Sequence, residues 1–215
     1  KIAFANEIGR LGEELDVDAT RVMELLCRDR KLNLSPKYLR PGFAYGGSCL
    51  PKDLRALNQL ADQRAVVVPL LAALVESNDE HLRTAVRRIL ATGARRIGIA
   101  GLTFKSGTDD FRESPALRLA RQLCDEGLDV RLFDPHLDAS RLLGSNRRYV
   151  DALLPDWQRR LVGSAHELAR ESELVVATQA DAAVARALSD SGHPVLALHG
   201  EARQGGDTTA EPVGS

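Results

Sequence analysis

Apolar side chains recur at helical spacing from Lys1 to about Leu15 (Ile2, Phe4, Ala5, Ile8, Leu11, Leu15), and this spacing predicts a first helix. A second is predicted from Asp18, as cap, to about Arg28. Residues 30–48 break the pattern with Asn33, Ser35-Pro36, Pro41-Gly42 and Gly46-Gly47, long for a plain connection and therefore a candidate functional loop. Pro51 suits the first turn of a helix running to about Ala61, and Pro69 opens a longer one to about Thr92 that Gly93 would stop.

After Gly93 short apolar runs alternate with helical patterns. Arg96 to Gly101 reads as a buried strand, Ser114 as the cap of a helix with Pro115 at its first position, and Asp129 to Asp134 as the next strand. Strand, helix and strand in so few residues make a parallel βαβ unit. A helix near Ala165 to Arg170, a strand at Glu173 to Ala177, a helix near Ala180 to Leu188 and a strand at Pro194 to Leu198 continue it. The predicted architecture is α/β: an all-helical segment over 1–92, then a small doubly wound, Rossmann-like parallel-sheet domain over 93–200. Residues 201–215, rich in Gly, Thr and charge, read as a disordered tail.

Composition narrows the function classes. With 215 residues and 44% hydrophobic side chains the chain can bury a core. A net charge of −1, from 29 basic and 30 acidic residues, provides no broad footprint for nucleic acid or an anionic membrane. No apolar run approaches the roughly 20 residues that span a bilayer. Three widely separated cysteines (Cys27, Cys49, Cys124) match neither a disulfide framework nor metal-ligand spacing, which points to a reducing cytoplasm. The five histidines show no metal spacing and read as surface residues, so no metal site is expected. The opening Lys1-Ile-Ala-Phe, inside a helical pattern with no cap or Met, reads as a cut edge of a longer chain.

The densest chemistry lies in Gly46-Gly-Ser-Cys-Leu-Pro-Lys-Asp53. Two glycines let the backbone approach a ligand, and Pro51 starts a helix directly behind the thiol. The unpaired N–H groups of that helix end, with Lys52 one turn in, favour a nucleophilic thiolate at Cys49. Asp53 adds a carboxylate, completing a set suited to attack on a carbonyl followed by assisted hydrolysis. The competing reading is that a lone free cysteine is usually a small core residue. Cys27 and Cys124, without such surroundings, read as buried filler.

Three stretches, Lys31-Leu-Asn-Leu-Ser35, Arg40-Pro-Gly-Phe-Ala-Tyr-Gly-Gly-Ser-Cys-Leu-Pro-Lys-Asp53 and Phe104-Lys-Ser-Gly-Thr-Asp-Asp-Phe-Arg-Glu-Ser-Pro115, resemble the UDP-glucose/GDP-mannose dehydrogenase family, in the family's order. The wording of Lys31 to Ser35 and of Leu50-Pro51 looks most like its GDP-mannose 6-dehydrogenase branch. The resemblance implies four-electron oxidation of a sugar C6 hydroxymethyl to a carboxylate with two NAD, in polysaccharide biosynthesis. It places Cys49 at the nucleophile position and Asp53 at the carboxylate beside the hydrolytic water. Lys52 would lie toward the cofactor phosphates and Arg112 near those of NAD. Phe43, Tyr45 and Gly46 would line the substrate loop, Lys105 would reach the nucleotide sugar, and Arg40 would reach it across a homodimer interface built from the central helices.

Departures from the family accompany the matches. G-x-G-x-x-G occurs nowhere in the chain, so the resemblance implies that NAD is bound mainly by a preceding domain and that these residues alone are inactive. Ala197 stands where the family commonly has an aspartate. The residues leave open a UDP-glucose or UDP-N-acetyl-sugar substrate, and a non-catalytic dimerisation or nucleotide-binding module. Without the resemblance, the charged loop around Lys105 and Arg112 reads as solvated, and Arg40 as a surface arginine.

Overall fold

The computed structural model describes residues 1–31, 42–103, 110–137, 142, 144–179 and 181–198. Four helices come first: α1 (Ile2–Leu15), α2 (Ala19–Arg28), α3 (Leu50–Gln63) and α4 (Pro69–Leu90). Asp18 caps α2, its carboxylate accepting the Arg21 N–H at 3.0 Å. Gly93, at φ 77°, ends the turn after α4, a conformation that favours glycine.

α1, α3 and α4 share a small core of Leu11, Leu54, Ala61, Val68 and Leu71. A buried carboxylate locks it. Glu7, 3% exposed, accepts the Leu70 and Leu71 N–H groups at 2.6 and 3.0 Å, so α1 satisfies two of the orphan donors at the start of α4. α2 buries none of its residues and leaves Val22, Leu25 and Leu26 exposed.

The chain then builds a sheet from β1 (Arg96–Ala100), β2 (Asp129–Phe133), β3 (Leu174–Ala177) and β4 (Val195–Ala197), all parallel, in the order β2-β1-β3-β4. Between the strands run α5 (Pro115–Asp125), α6 (Gly144–Leu153), α7 (Trp157–Arg160), α8 (Ala165–Glu171) and α9 (Ala182–Asp190). Alternation along the strands sends Ile97, Ile99, Val130, Leu132 and Val176 into one core, with α5, α7 and the second half of α4. Ala100 and Val175 point into the other, under α8 and α9. Helices on both faces make the sheet doubly wound, as the alternation predicted. α4 belongs to both parts: Leu71 lies in the helical core, whereas Leu82, Val86 and Ile89 lie under the sheet.

Three details differ from the sequence reading. Cys27 is exposed rather than buried, because α2 turns its apolar residues to solvent. α6 and α7 lie in a stretch without clear periodicity, where Trp157 packs into the sheet core, its indole N–H donating to Asp151 at 2.8 Å and Arg147 lying over its ring. α9 begins after Asp181, whose carboxylate caps the Ala183 and Val184 N–H groups. The expected tail, 201–215, lies outside the described residues.

Candidate active site

Cys49 is the N-cap of α3, with Pro51 in the first turn, and its thiol is exposed. The Cys49 carbonyl accepts the Asp53 N–H at 2.8 Å, which fixes the start of the helix against the sulfur. The Lys52 ammonium lies 3.2 Å from the Asp53 carboxylate, both well over half exposed, so this is a solvent-screened pair.

The loop before the cysteine is held by α4 and by the turn before α5. Asn78 clamps Tyr45, accepting its N–H at 2.9 Å and donating to its carbonyl at 3.1 Å. The Tyr45 hydroxyl donates to the Leu74 carbonyl at 3.2 Å, and burial raises its pKa above the ordinary tyrosine value. Phe43 leans on the sheet core and Tyr45 on the helical one. Gly46 sits so close to Glu113 and Pro115 that no side chain fits there. Glu113, at φ 53°, also pairs with Arg55 of α3 at 2.9 Å. These contacts border a cavity of about 340 Å³ lined by Tyr45, Leu54, Arg55, Asn78, Glu113 and Arg118.

The same turn carries Arg112. Its guanidinium makes a two-pronged contact with Asp110, 2.9 Å from Nε and 2.8 Å from Nη2. Arg112, with a smaller contribution from the Ser48 hydroxyl, holds the Asp110 carboxyl below the usual carboxylate range. Asp110, and more weakly a charge on Cys49, raises the pKa of Arg112. The Ser48 Oγ is 3.8 Å from the Cys49 sulfur.

Of the nine residues singled out from the sequence, Cys49, Lys52, Asp53, Gly46 and Arg112 thus converge where α3 meets the turn before α5, with Phe43 and Tyr45 anchoring the loop. Arg40 and Lys105 lie outside the described residues. Sequence reasoning had Ser48 within the Gly46 to Asp53 motif and Asp110 within the charged loop without giving either a role, and it missed the Arg55–Glu113 pair that joins α3 to the turn before α5. His81 accounts for Gly42, with Nε2 2.7 Å from its carbonyl oxygen. Among the described residues no group of three His, Cys, Asp or Glu side chains could hold a metal ion.

A second concavity lies at the switch point of the sheet, outside the carboxyl ends of β1 and β3, where ligands of doubly wound folds gather. It is narrow, lined by Gly101, Asp134, His136, Gln179 and Asp181. Asp134 fills its floor, accepting the Leu102 and Thr103 N–H groups at 2.7 and 3.2 Å. Ala197 ends β4 opposite Ala177 and brings no carboxylate.

The chain belongs to the UDP-glucose/GDP-mannose dehydrogenase family: residues 1–80 match its central domain and residues 98–192 its UDP binding domain. It is 42% identical over 181 residues to the GDP-mannose 6-dehydrogenase of Pseudomonas aeruginosa, which covers 84% of this chain and 42% of that protein. Against the UDP-glucose 6-dehydrogenase of Bacillus subtilis identity is 32%, over 81% of this chain and 40% of that protein. Among solved structures, a ternary complex of GDP-mannose dehydrogenase from Pseudomonas aeruginosa superposes with a TM-score of 0.83 at 40% identity, covering 92% of this chain and 46% of the other. A UDP-glucose dehydrogenase from Pyrobaculum islandicum superposes at 0.64 with 30% identity, over 92% and 44%. The chain spans less than half the length of these proteins. No described helix is long and apolar enough to cross a membrane.

Proposed function

We propose that the chain is the central and C-terminal part of an NAD-dependent GDP-mannose 6-dehydrogenase, with Cys49 as its covalent nucleophile. The observation that carries the reading is the exposed Cys49 thiol at the start of α3, with the Lys52 and Asp53 side chains in the first turn behind it. GDP-mannose is favoured over a UDP sugar by the higher identity to enzymes of that name.

The Cys49 sulfur adds to the C6 aldehyde carbon, forming a C–S bond; the hemithioacetal goes on to a thioester. Water then attacks the thioester carbon, the C–S bond breaks and the thiolate leaves, giving the carboxylate. Asp53, one turn into α3, is the carboxylate available to take a proton from that water. NAD, when bound, accepts a hydride in each of the two oxidations. Arg112, 43% exposed beyond its grip on Asp110, fits a cofactor phosphate, and Lys52 would lie toward the same group. Tyr45, Phe43 and Gly46 shape the loop facing the sugar nucleotide, with Lys105 and Arg40 expected at it. The exposed apolar residues of α2 support a homodimer through the helical segment. Residues 1–92 would form that dimerisation part and 93–200 the nucleotide-sugar part. With no G-x-G-x-x-G among its 215 residues, the chain alone is expected to form no NADH.

The test is turnover by the complete enzyme. GDP-mannose should yield two NADH per sugar and be preferred, by kcat/KM, over UDP-glucose. A preference for UDP-glucose would move the protein to the other branch of the family.

A further inference from the structure

Glu113 stands between Arg112 and Ser114, the cap of α5, and is tied to the cysteine segment from two directions. Its carboxylate accepts an N–H of Arg55 at 2.9 Å, and Arg55 lies less than two turns beyond Cys49 on α3. Its backbone carbonyl oxygen packs on Gly46, so closely that a methyl group there would stand 2.2 Å away. Glu113 holds φ at 53°, in the left-handed region that disfavours a residue with a Cβ and suits glycine or asparagine. The ion pair does little to offset that cost, because the Arg55 side chain is 54% exposed and water screens the charges. Stability therefore gives no reason for a glutamate here. A disfavoured backbone held in place by its surroundings beside a candidate site calls for a functional reason instead.

We propose that Glu113 is a positioning residue: it pins α3, and with it Cys49, to the turn before α5, and so sets where the sulfur stands relative to the nucleotide-sugar part of the chain. The inference rests on the reading of Cys49 as nucleophile. Its two attachments act on opposite sides of the thiol. The carbonyl contact with Gly46 fixes the loop that leads into Cys49, and the Arg55 pair fixes the helix that leads out of it. From α4, Asn78 holds Tyr45 by both its N–H and its carbonyl, so the loop is braced on that side as well. Glycine at position 113 would ease the backbone but lose the reach to Arg55, which takes a long acidic side chain.

The experiment is steady-state turnover of the complete enzyme with its preferred nucleotide sugar, with the melting temperature of each variant measured alongside. Glu113→Gly relieves the positive φ and removes the carboxylate, so the melting temperature should hold near the wild-type value. Its kcat should nevertheless fall roughly tenfold or more, because a small displacement of a reacting group is costly, while KM changes little. Arg55→Gln leaves the turn untouched and should lower kcat by a similar factor; it decides the matter if Glu113→Gly does not fold. Arg55→Glu combined with Glu113→Arg reverses the pair and should recover most of the loss. A kcat within about twofold of wild type in folded Glu113→Gly, or in Arg55→Gln, overturns the proposal. So does a loss that follows a falling melting temperature, or one that the reversed pair fails to recover. Failure of the nucleophile reading is seen separately, as acid formation by Cys49→Ala at the wild-type rate.

Discussion

Gly46 and Glu113 meet backbone to backbone: a methyl group on Gly46 would stand 2.2 Å from the Glu113 carbonyl oxygen and 2.6 Å from Pro115 Cδ. This contact joins the two long motifs of the sequence. Gly46→Ala should therefore destabilise the protein by about 1–3 kcal/mol, because the turn before α5 must be pushed off α3. Gly9→Ala is the matched control. Gly9 lies within α1 with nothing within 4 Å of an added methyl, so the change should stabilise by about 0.5–1 kcal/mol. Urea unfolding of both variants checks the pair.

Glu7 is buried to bond the first N–H groups of α4. Glu7→Ala leaves those donors without a partner and opens a space under α4, and should cost about 1–3 kcal/mol. Glu7→Gln keeps one oxygen acceptor and should cost less. Equal loss in the two variants would show that packing, rather than the hydrogen bonds, holds α1 on α4.

Several carboxylates titrate below their usual range: Asp110 through Arg112, Asp151 through the Trp157 and Arg147 side chains, Asp156 through Arg160, and Asp181 through the Val184 and Ala183 N–H groups. A depressed folded-state pKa contributes stability that is fully present above the unfolded value. That stability is lost as pH falls through the folded one. The urea midpoint should hold near neutral pH and decline progressively below about pH 4.

Tyr149 behaves oppositely. Burial is the main cause that pushes its hydroxyl up to about 12 from the ordinary tyrosine value of 10.0, so the folded state keeps its proton longer than the unfolded chain. That contribution is intact below pH 10 and disappears as pH rises from there toward 12. Tyrosinate absorbance should show a step near pH 12, and Tyr149→Phe should remove it while leaving the raised titration of Tyr45 in place.

Much of the fold was legible because local signals agreed with it. Asp18 and Ser114 cap helices, Pro51 and Pro115 start them, and the buried strands follow their apolar runs. The placement of Cys49 at a helix start was legible for the same reason. What was not legible depends on partners far away in sequence. Glu7 meets Leu70 across 63 positions, and Arg55 meets Glu113 across 58. Nothing near either residue announces its partner. Cys27 shows the reverse error: an apolar run predicts burial, but only tertiary packing decides whether a face is covered, and that of α2 is not.

The most direct test of the account is product analysis of Cys49→Ala in the complete enzyme, with NADH counted per sugar consumed. Without the sulfur no thioester can form, so formation of the sugar acid should be abolished, leaving slow aldehyde production or a single partial turnover at most. The melting temperature should change little, since removing an exposed thiol creates little cavity. Formation of the acid at the wild-type rate, with two NADH per sugar, would contradict the account and take Cys49 out of the mechanism.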